Sequence, residues 1–166
     1  ADVVPLLDEN RIITYHGLQV MNDKPRLAIQ VLKSLKKVET ITSRTLAFQF
    51  GPLMNAAGRL KDADLAVRFL LSNDRQEAEK MAQILDATNA ERREKESEMI
   101  QTALKLADEQ KDNPALILVS PEFHEGVNGI VATRLVESFY KPVLILTENE
   151  GELKGSGRSI PELNLK

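Results

Sequence analysis

The sequence predicts an α/β protein: a mostly helical first lobe, a long connecting helix, and a smaller α/β second lobe. Three observations carry that expectation. Residues 74–110 contain no Gly and no Pro and are rich in Ala, Glu, Lys, Arg, Gln, Leu and Met, all good helix formers. Before them, apolar residues recur at helical spacing in several short segments. After them, two apolar runs, 115–119 (ALILV) and 142–147 (PVLILT), flank a helical pattern. Strand, helix and strand in that order give a parallel pair through a right-handed crossover.

Taken in order, residues 1–7 (ADVVPLL) read as the tail of a buried strand whose partners do not precede it, so the sequence is expected to start inside a larger protein. Asn10 caps a helix through about Met21 that carries His16 as an ordinary surface residue. Residues 24–37 form a second helix, with Pro25 in its first turn and Leu27, Val31 and Leu35 on one face. Thr42 or Ser43 opens a third helix through Phe50. The run 51–60 (GPLMNAAGRL) then strips away side-chain bulk at Ala56, Ala57 and Gly58, which lets a backbone or a ligand come close. Arg59 can carry a guanidinium to a phosphate there; the alternative is a tight helix crossing with Arg59 as a plain surface residue. Asp62 caps a short helix with Leu65, Phe69 and Leu70 inward.

The connecting helix opens on a capping box, Asp74 with Glu77 three residues on. At about 1.5 Å per residue it would run roughly 55 Å. Ala78, Met81, Leu85 and Thr88 form one stripe, and Met99, Ala103 and Leu106 another. The stretch 91–98 between them has no large hydrophobe and is expected to touch neither lobe, held only by pairs such as Glu91 with Lys95.

In the second lobe, the strand at 115–119 leads through Phe123, His124, Glu125, Gly126, Val127, Asn128 and Gly129 into a helix ending near Tyr140. A strand, a glycine-containing loop and a helix start can present backbone N–H groups to an anion. Neither a full dinucleotide fingerprint nor a P-loop is present. A turn near Asn149, Glu150 and Gly151 leads to a strand holding Lys154, Gly155, Ser156, Gly157, Arg158 and Ser159. Alternation aims Ser156 and Arg158 the same way, the equipment for holding a phosphate, with the flanking glycines leaving room for a nucleotide backbone.

Composition narrows the class. The net charge of −3 excludes a uniformly basic nucleic-acid binder, so phosphate recognition must be local. No apolar run reaches membrane-spanning length. The absence of Cys excludes a disulfide framework and thiolate metal sites and suits a cytoplasmic protein.

Four stretches in register, 1–6 (ADVVPL), 51–60, 123–135 (FHEGVNGIVATRL) and 155–159 (GSGRS), resemble the later motifs of the RecJ family. These are bacterial single-strand-specific 5′→3′ exonucleases of the DHH phosphoesterase superfamily. The segment 85–92 (LDATNAER) is similar too, so the resemblance covers essentially the whole chain.

It implies that residues 1–72 end a DHH catalytic domain, 73–111 connect, and 112–166 begin a three-layer α/β DHH-associated lobe that is truncated here. It implies Mn²⁺ or Mg²⁺ as cofactor, with Asp2 as a metal ligand. Ser156 and Arg158 would hold the 5′-terminal phosphate of single-stranded DNA; Asn55 and Arg59 would face the substrate, with His124, Gly126 and Arg134 as further contacts. Helicases and single-strand-binding proteins of DNA repair and recombination are the implied partners.

Two positions depart from the family pattern: Leu53 stands where Arg is usual after Gly-Pro, and Asn128 where an aliphatic residue is usual. The Asp-His-His segment is absent, so the chain alone is expected to be inactive. Two other readings are a DHH-superfamily phosphodiesterase of short oligonucleotides or cyclic dinucleotides, and a non-catalytic scaffold binding partners through the long helix.

Overall fold

The computed structural model describes residues 4–165. Its elements are α1 (Asp8–Asp23), α2 (Leu27–Lys36), a single turn α3 (Ser43–Thr45), a π-helical turn (Leu46–Phe50), α4 (Gly51–Leu60), α5 (Asp64–Leu71) and α6 (Arg75–Glu109). Then follow β1 (Leu116–Val119), α7 (Glu125–Phe139), β2 (Val143–Asn149) and β3 (Glu152–Arg158). The mostly helical chain with one small mixed sheet is the α/β class expected. It divides into two compact units, the boundary falling between Ala90 and Glu91 inside α6.

In the first unit the helices close on one cluster that includes Leu32, Phe50, Leu53, Phe69 and, from α6, Ala78, Met81 and Leu85. Local chemistry sets the joints. Thr42 and Thr45 form a reciprocal capping box at α3. The Asp62 carboxylate accepts from Asp64 N–H (2.9 Å) ahead of α5, and the Asp74 carboxylate accepts from Glu77 N–H (2.8 Å) at the start of α6. The Asn22 amide meets both backbone groups of Ile41 (2.8 and 2.9 Å), tying α1 to the loop before α3.

Several expectations are corrected. Residues 4–7 are exposed and pair with no strand among the described residues, because an apolar strand needs neighbours on both sides. Asn10 does not cap α1; the helix begins two residues earlier, and the Asn10 amide donates to Pro5 O (3.1 Å). The run 51–60 is helical throughout, since Pro52 falls in the first turn, where its missing N–H costs no bond. Leu70 turns outward.

The middle of α6 is not bare either. Arg92 and Glu96, one turn apart, pair with each other, and their side chains are only 12% and 17% exposed. Glu91 and Lys95 form the expected looser pair at 3.9 Å. In the last turns the buried positions are Met99, Ala103 and Ala107.

The second unit is a three-stranded sheet in the order β1-β2-β3, parallel and then antiparallel. Leu116, Leu118, Val143 and Ile145 are buried on the face that α7 covers with Val127, Val131 and Leu135. The outer edge of β1 is closed by Gln110, whose amide exchanges two hydrogen bonds with Ile117 (2.9 and 3.0 Å). Lys141 donates to the carbonyls of Lys111 and Asn113 just past α6. Tyr140, which ends α7, donates to Glu162 (2.9 Å), and that bond and carboxylate charge raise its phenol pKa.

The burial of the Arg92–Glu96 pair generates a test. Arg92→Leu should cost about 1–3 kcal/mol in a urea melt, because it leaves Glu96 without its partner. Arg93→Leu, at an exposed neighbour, should change stability by less than about 0.5 kcal/mol. Equal effects would mean that the pair is not buried in solution.

Candidate phosphate-binding site

The β2–β3 register sets Ser156 opposite Ile145 and Arg158 opposite Val143. Those partners face α7, so Ser156 and Arg158 do too, while Gly155 and Gly157 lie on the opposite face. The α7 residue beneath the pair is Gly129. A Cβ there would sit 3.0 Å from Arg158 Nη2 and 3.5 Å from Ser156 Oγ. The missing side chain at Gly129 therefore leaves a hydroxyl and a guanidinium side by side over bare helix backbone.

Arg158 makes no ion pair among the described residues; its Nη1 donates to the adjacent Gly157 O (2.8 Å). Glu137, the carboxylate that could have tied it down, is paired instead with Arg134 (3.2 Å). An exposed guanidinium with unspent donors beside a hydroxyl suits an anion with several acceptor oxygens.

The glycines flanking the pair have another purpose. A Cβ on Gly155 would run into the Ile145 carbonyl, 2.8 Å from its carbon, and one on Gly157 would lie 3.3 Å from a Leu165 methyl. They fit the strand to its neighbours on the far face and do not clear space beside Ser156 and Arg158. Gly129, whose role sequence reasoning missed, clears that space; its only sequence signal was a Gly-x-x-Gly at a helix start.

The start of α7 is closed on itself. His124 is its N-cap, and its Nδ1 accepts from Gly126 N–H (3.1 Å). The N–H groups of Val127 and Asn128 both go to His124 O (2.8 and 3.1 Å). The expectation that Gly126 N–H is offered to an anion is therefore corrected. A neutral imidazole whose Nδ1 accepts carries its proton on Nε2, so the donor His124 itself has to offer is Nε2–H.

Arg134 lies about 140° around α7 from Gly129 and is not brought to the Ser156–Arg158 group. In the first unit, Asn55 and Arg59 are exposed one turn apart on α4. Asp2 lies outside the described residues. Among the described residues no group of three or more His, Asp or Glu is placed to hold a metal ion.

No protein-family model matches the chain. It is 39% identical over 170 residues to the single-stranded-DNA-specific exonuclease RecJ of Bacillus subtilis, which covers 99% of this chain and 22% of that protein. It is 38% identical over 175 residues to RecJ of Escherichia coli, covering all of this chain and 30% of the relative. A crystal structure of RecJ in complex with Mg²⁺ from Thermus thermophilus superposes with a TM-score of 0.87 at 33% identity, over 99% of this chain and 26% of that one. An exonuclease RecJ bound to manganese matches equally well, over 41% of its chain.

Fold and sequence thus define an α/β polypeptide that corresponds to one segment of such exonucleases, spanning between a fifth and a third of the curated relatives it matches. Over its whole length the chain is similar to a segment of RecJ, in sequence and in fold.

The two kinds of glycine should separate on substitution. Gly155→Ala should lower stability by about 1–3 kcal/mol, the range for forced overpacking. Gly129→Ala, which meets only the movable end of Arg158 at 3.0 Å, should melt within about 1 kcal/mol of the parent because helix propensity favours Ala. The reverse order in urea melts would contradict this assignment.

Proposed function

We propose that this chain is the substrate-holding portion of a metal-dependent exonuclease that degrades single-stranded DNA from the 5′ end, and that Ser156 and Arg158 seat the 5′-terminal phosphate over Gly129. In this reading residues 1–72 end the catalytic domain, 73–111 connect, and 112–166 begin the substrate-binding lobe. The observation that carries it is the Ser156–Arg158 pair: two donors on one strand face, over a glycine, with no carboxylate engaging the guanidinium. RecJ relatives named as single-strand-specific exonucleases, and solved with Mg²⁺ or Mn²⁺, support the substrate and metal classes.

The described residues do not form a metal site, so what they contribute is position. A terminal phosphate fixed in one place turns a mobile strand into a near-attack geometry, a contribution that can reach about 7–11 kcal/mol in well-oriented systems. Arg59 and Asn55 are proposed to bind the strand from α4, and His124 through Nε2–H. Cytoplasmic repair and recombination, with helicases and single-strand-binding proteins, is the setting this reading implies.

Two measurements test it. Arg158→Ala should weaken a 5′-phosphorylated oligonucleotide more than its 5′-hydroxyl counterpart, by about 1.5–3 kcal/mol for a lost charged hydrogen bond. Equal loss on both strands would make Arg158 structural.

The chain alone should release no mononucleotides from 5′-phosphorylated single-stranded DNA with Mn²⁺ in excess. Asp2 is its single assigned ligand, and a hard divalent cation takes about six. Metal-dependent release would overturn this division of labour.

A further inference from the structure

The face of β3 that carries Ser156 and Arg158 continues toward the β2–β3 turn. Lys154 stands opposite Thr147 on β2, as Ser156 stands opposite Ile145 and Arg158 opposite Val143. Thr147 faces α7, because the Asn128 amide of that helix donates to its hydroxyl (2.9 Å). Lys154, and Glu152 two residues before it, therefore project to the same side as Ser156 and Arg158. From the turn inward the order is a carboxylate, an ammonium, a hydroxyl and a guanidinium.

The Lys154 ammonium lies 3.7 Å from the Glu152 carboxylate, and the two side chains are 58% and 74% exposed. A pair this open to solvent holds little energy, so an incoming anion can take the place of the carboxylate. Two residues of β-strand span about 7 Å, and one step of an extended nucleotide backbone covers a similar distance.

We propose that Lys154 holds the second phosphate of the strand, the first internucleotide diester, while Ser156 and Arg158 hold the 5′-terminal one. Glu152 keeps the ammonium in place until a strand arrives. The proposal rests on the phosphate-seat reading above and deepens it, since it makes the site select a strand over a free phosphate monoester. The charges match in kind. A terminal monoester offers its oxygens to a guanidinium fork and a hydroxyl, whereas a diester carries a single charge and suits a compact ammonium. Beyond Lys154, Glu148, Glu150 and Glu152 are all exposed around the turn. Their charge opposes a third phosphate on β3, so the strand leaves the sheet after its second.

The test is a nuclear magnetic resonance titration of this chain with thymidine 5′-monophosphate and with 5′-phosphorylated dithymidylate, at physiological salt. Arg158→Ala should weaken both ligands. Lys154→Ala should weaken the dinucleotide about threefold to fivefold, the range of an exposed charge pair, and leave the mononucleotide little changed; Lys154→Arg should restore the dinucleotide. Glu152→Gln should tighten the dinucleotide about twofold by freeing the ammonium. The amide spectra report folding of each variant in the same experiment.

If the parent binds neither ligand, this proposal and the reading beneath it fall together. If both bind in an Arg158-dependent way but Lys154→Ala weakens them equally, or changes neither, the phosphate seat stands and the second position is refuted. A dinucleotide that binds Glu152→Gln more weakly than the parent would also refute it.

Discussion

Because α6 contributes Ala78, Met81, Ala82 and Leu85 to one buried cluster and Met99, Ala103 and Ala107 to the other unit, each core is completed by a stripe of the same helix. The alanines matter as much as the larger residues, since side chains that end at Cβ let neighbouring backbones approach. The dependence runs in both directions. A helix with this many charges draws only a few tenths of a kcal/mol from each i,i+4 pair, so most of its stability comes from packing. Between the stripes the chain places Arg92 and Glu96 instead of apolar residues. A largely buried ion pair adds little net stability, but removing one partner is costly because it leaves the other unpaired away from water.

The two departures from the family pattern acquire a physical meaning. Leu53 is 1% exposed and sits in the first unit's core, so that position is spent on packing and offers nothing to a ligand. Asn128 is fully buried, and its amide donates to Thr147 Oγ1 on β2 (2.9 Å). Its own Oδ1 has no partner. Exchanging an aliphatic contact for this bond gains about 1 kcal/mol at most and leaves one acceptor unsatisfied. What it adds is direction: only one alignment of α7 on β2 brings the amide to the hydroxyl.

Local signals were legible, and long-range ones were not. The cap at Asp74, the parallel crossover and the turn at Glu150 and Gly151 follow from neighbours in sequence. So does the shared face of Ser156 and Arg158, because strand alternation is a local rule. Asp62, expected to cap α5, instead lies one residue before its N-cap Ala63 and closes a turn onto Asp64 N–H. The purpose of each glycine was hidden, since Gly155 answers to Ile145 and Gly129 to Arg158, partners many residues away. The capping of Gly126 by His124 was also hidden: the pair are two residues apart, but His is an uncommon N-cap. The π turn leaves no compositional trace at all.

The candidate phosphate seat is finally a consequence of register. Glu150 and Gly151 adopt φ of 51° and 80° at the β2–β3 turn, the left-handed pair that a two-residue hairpin requires. That turn starts the ladder at Asn149 opposite Glu152 and carries it to Val143 opposite Arg158. A slip of one residue would send Ser156 and Arg158 to the far face and bring Gly155 and Gly157 over α7, emptying the site without breaking the sheet. Gly155 opposes such a slip, because its bare α-carbon lets it nest against the Ile145 carbonyl, a fit that no residue with a Cβ could replace it in. One glycine at the turn, one against the neighbouring strand and one on the packed helix thus divide the task. The first sets the register, the second holds it, and the third leaves the space that the register fills with a hydroxyl and a guanidinium.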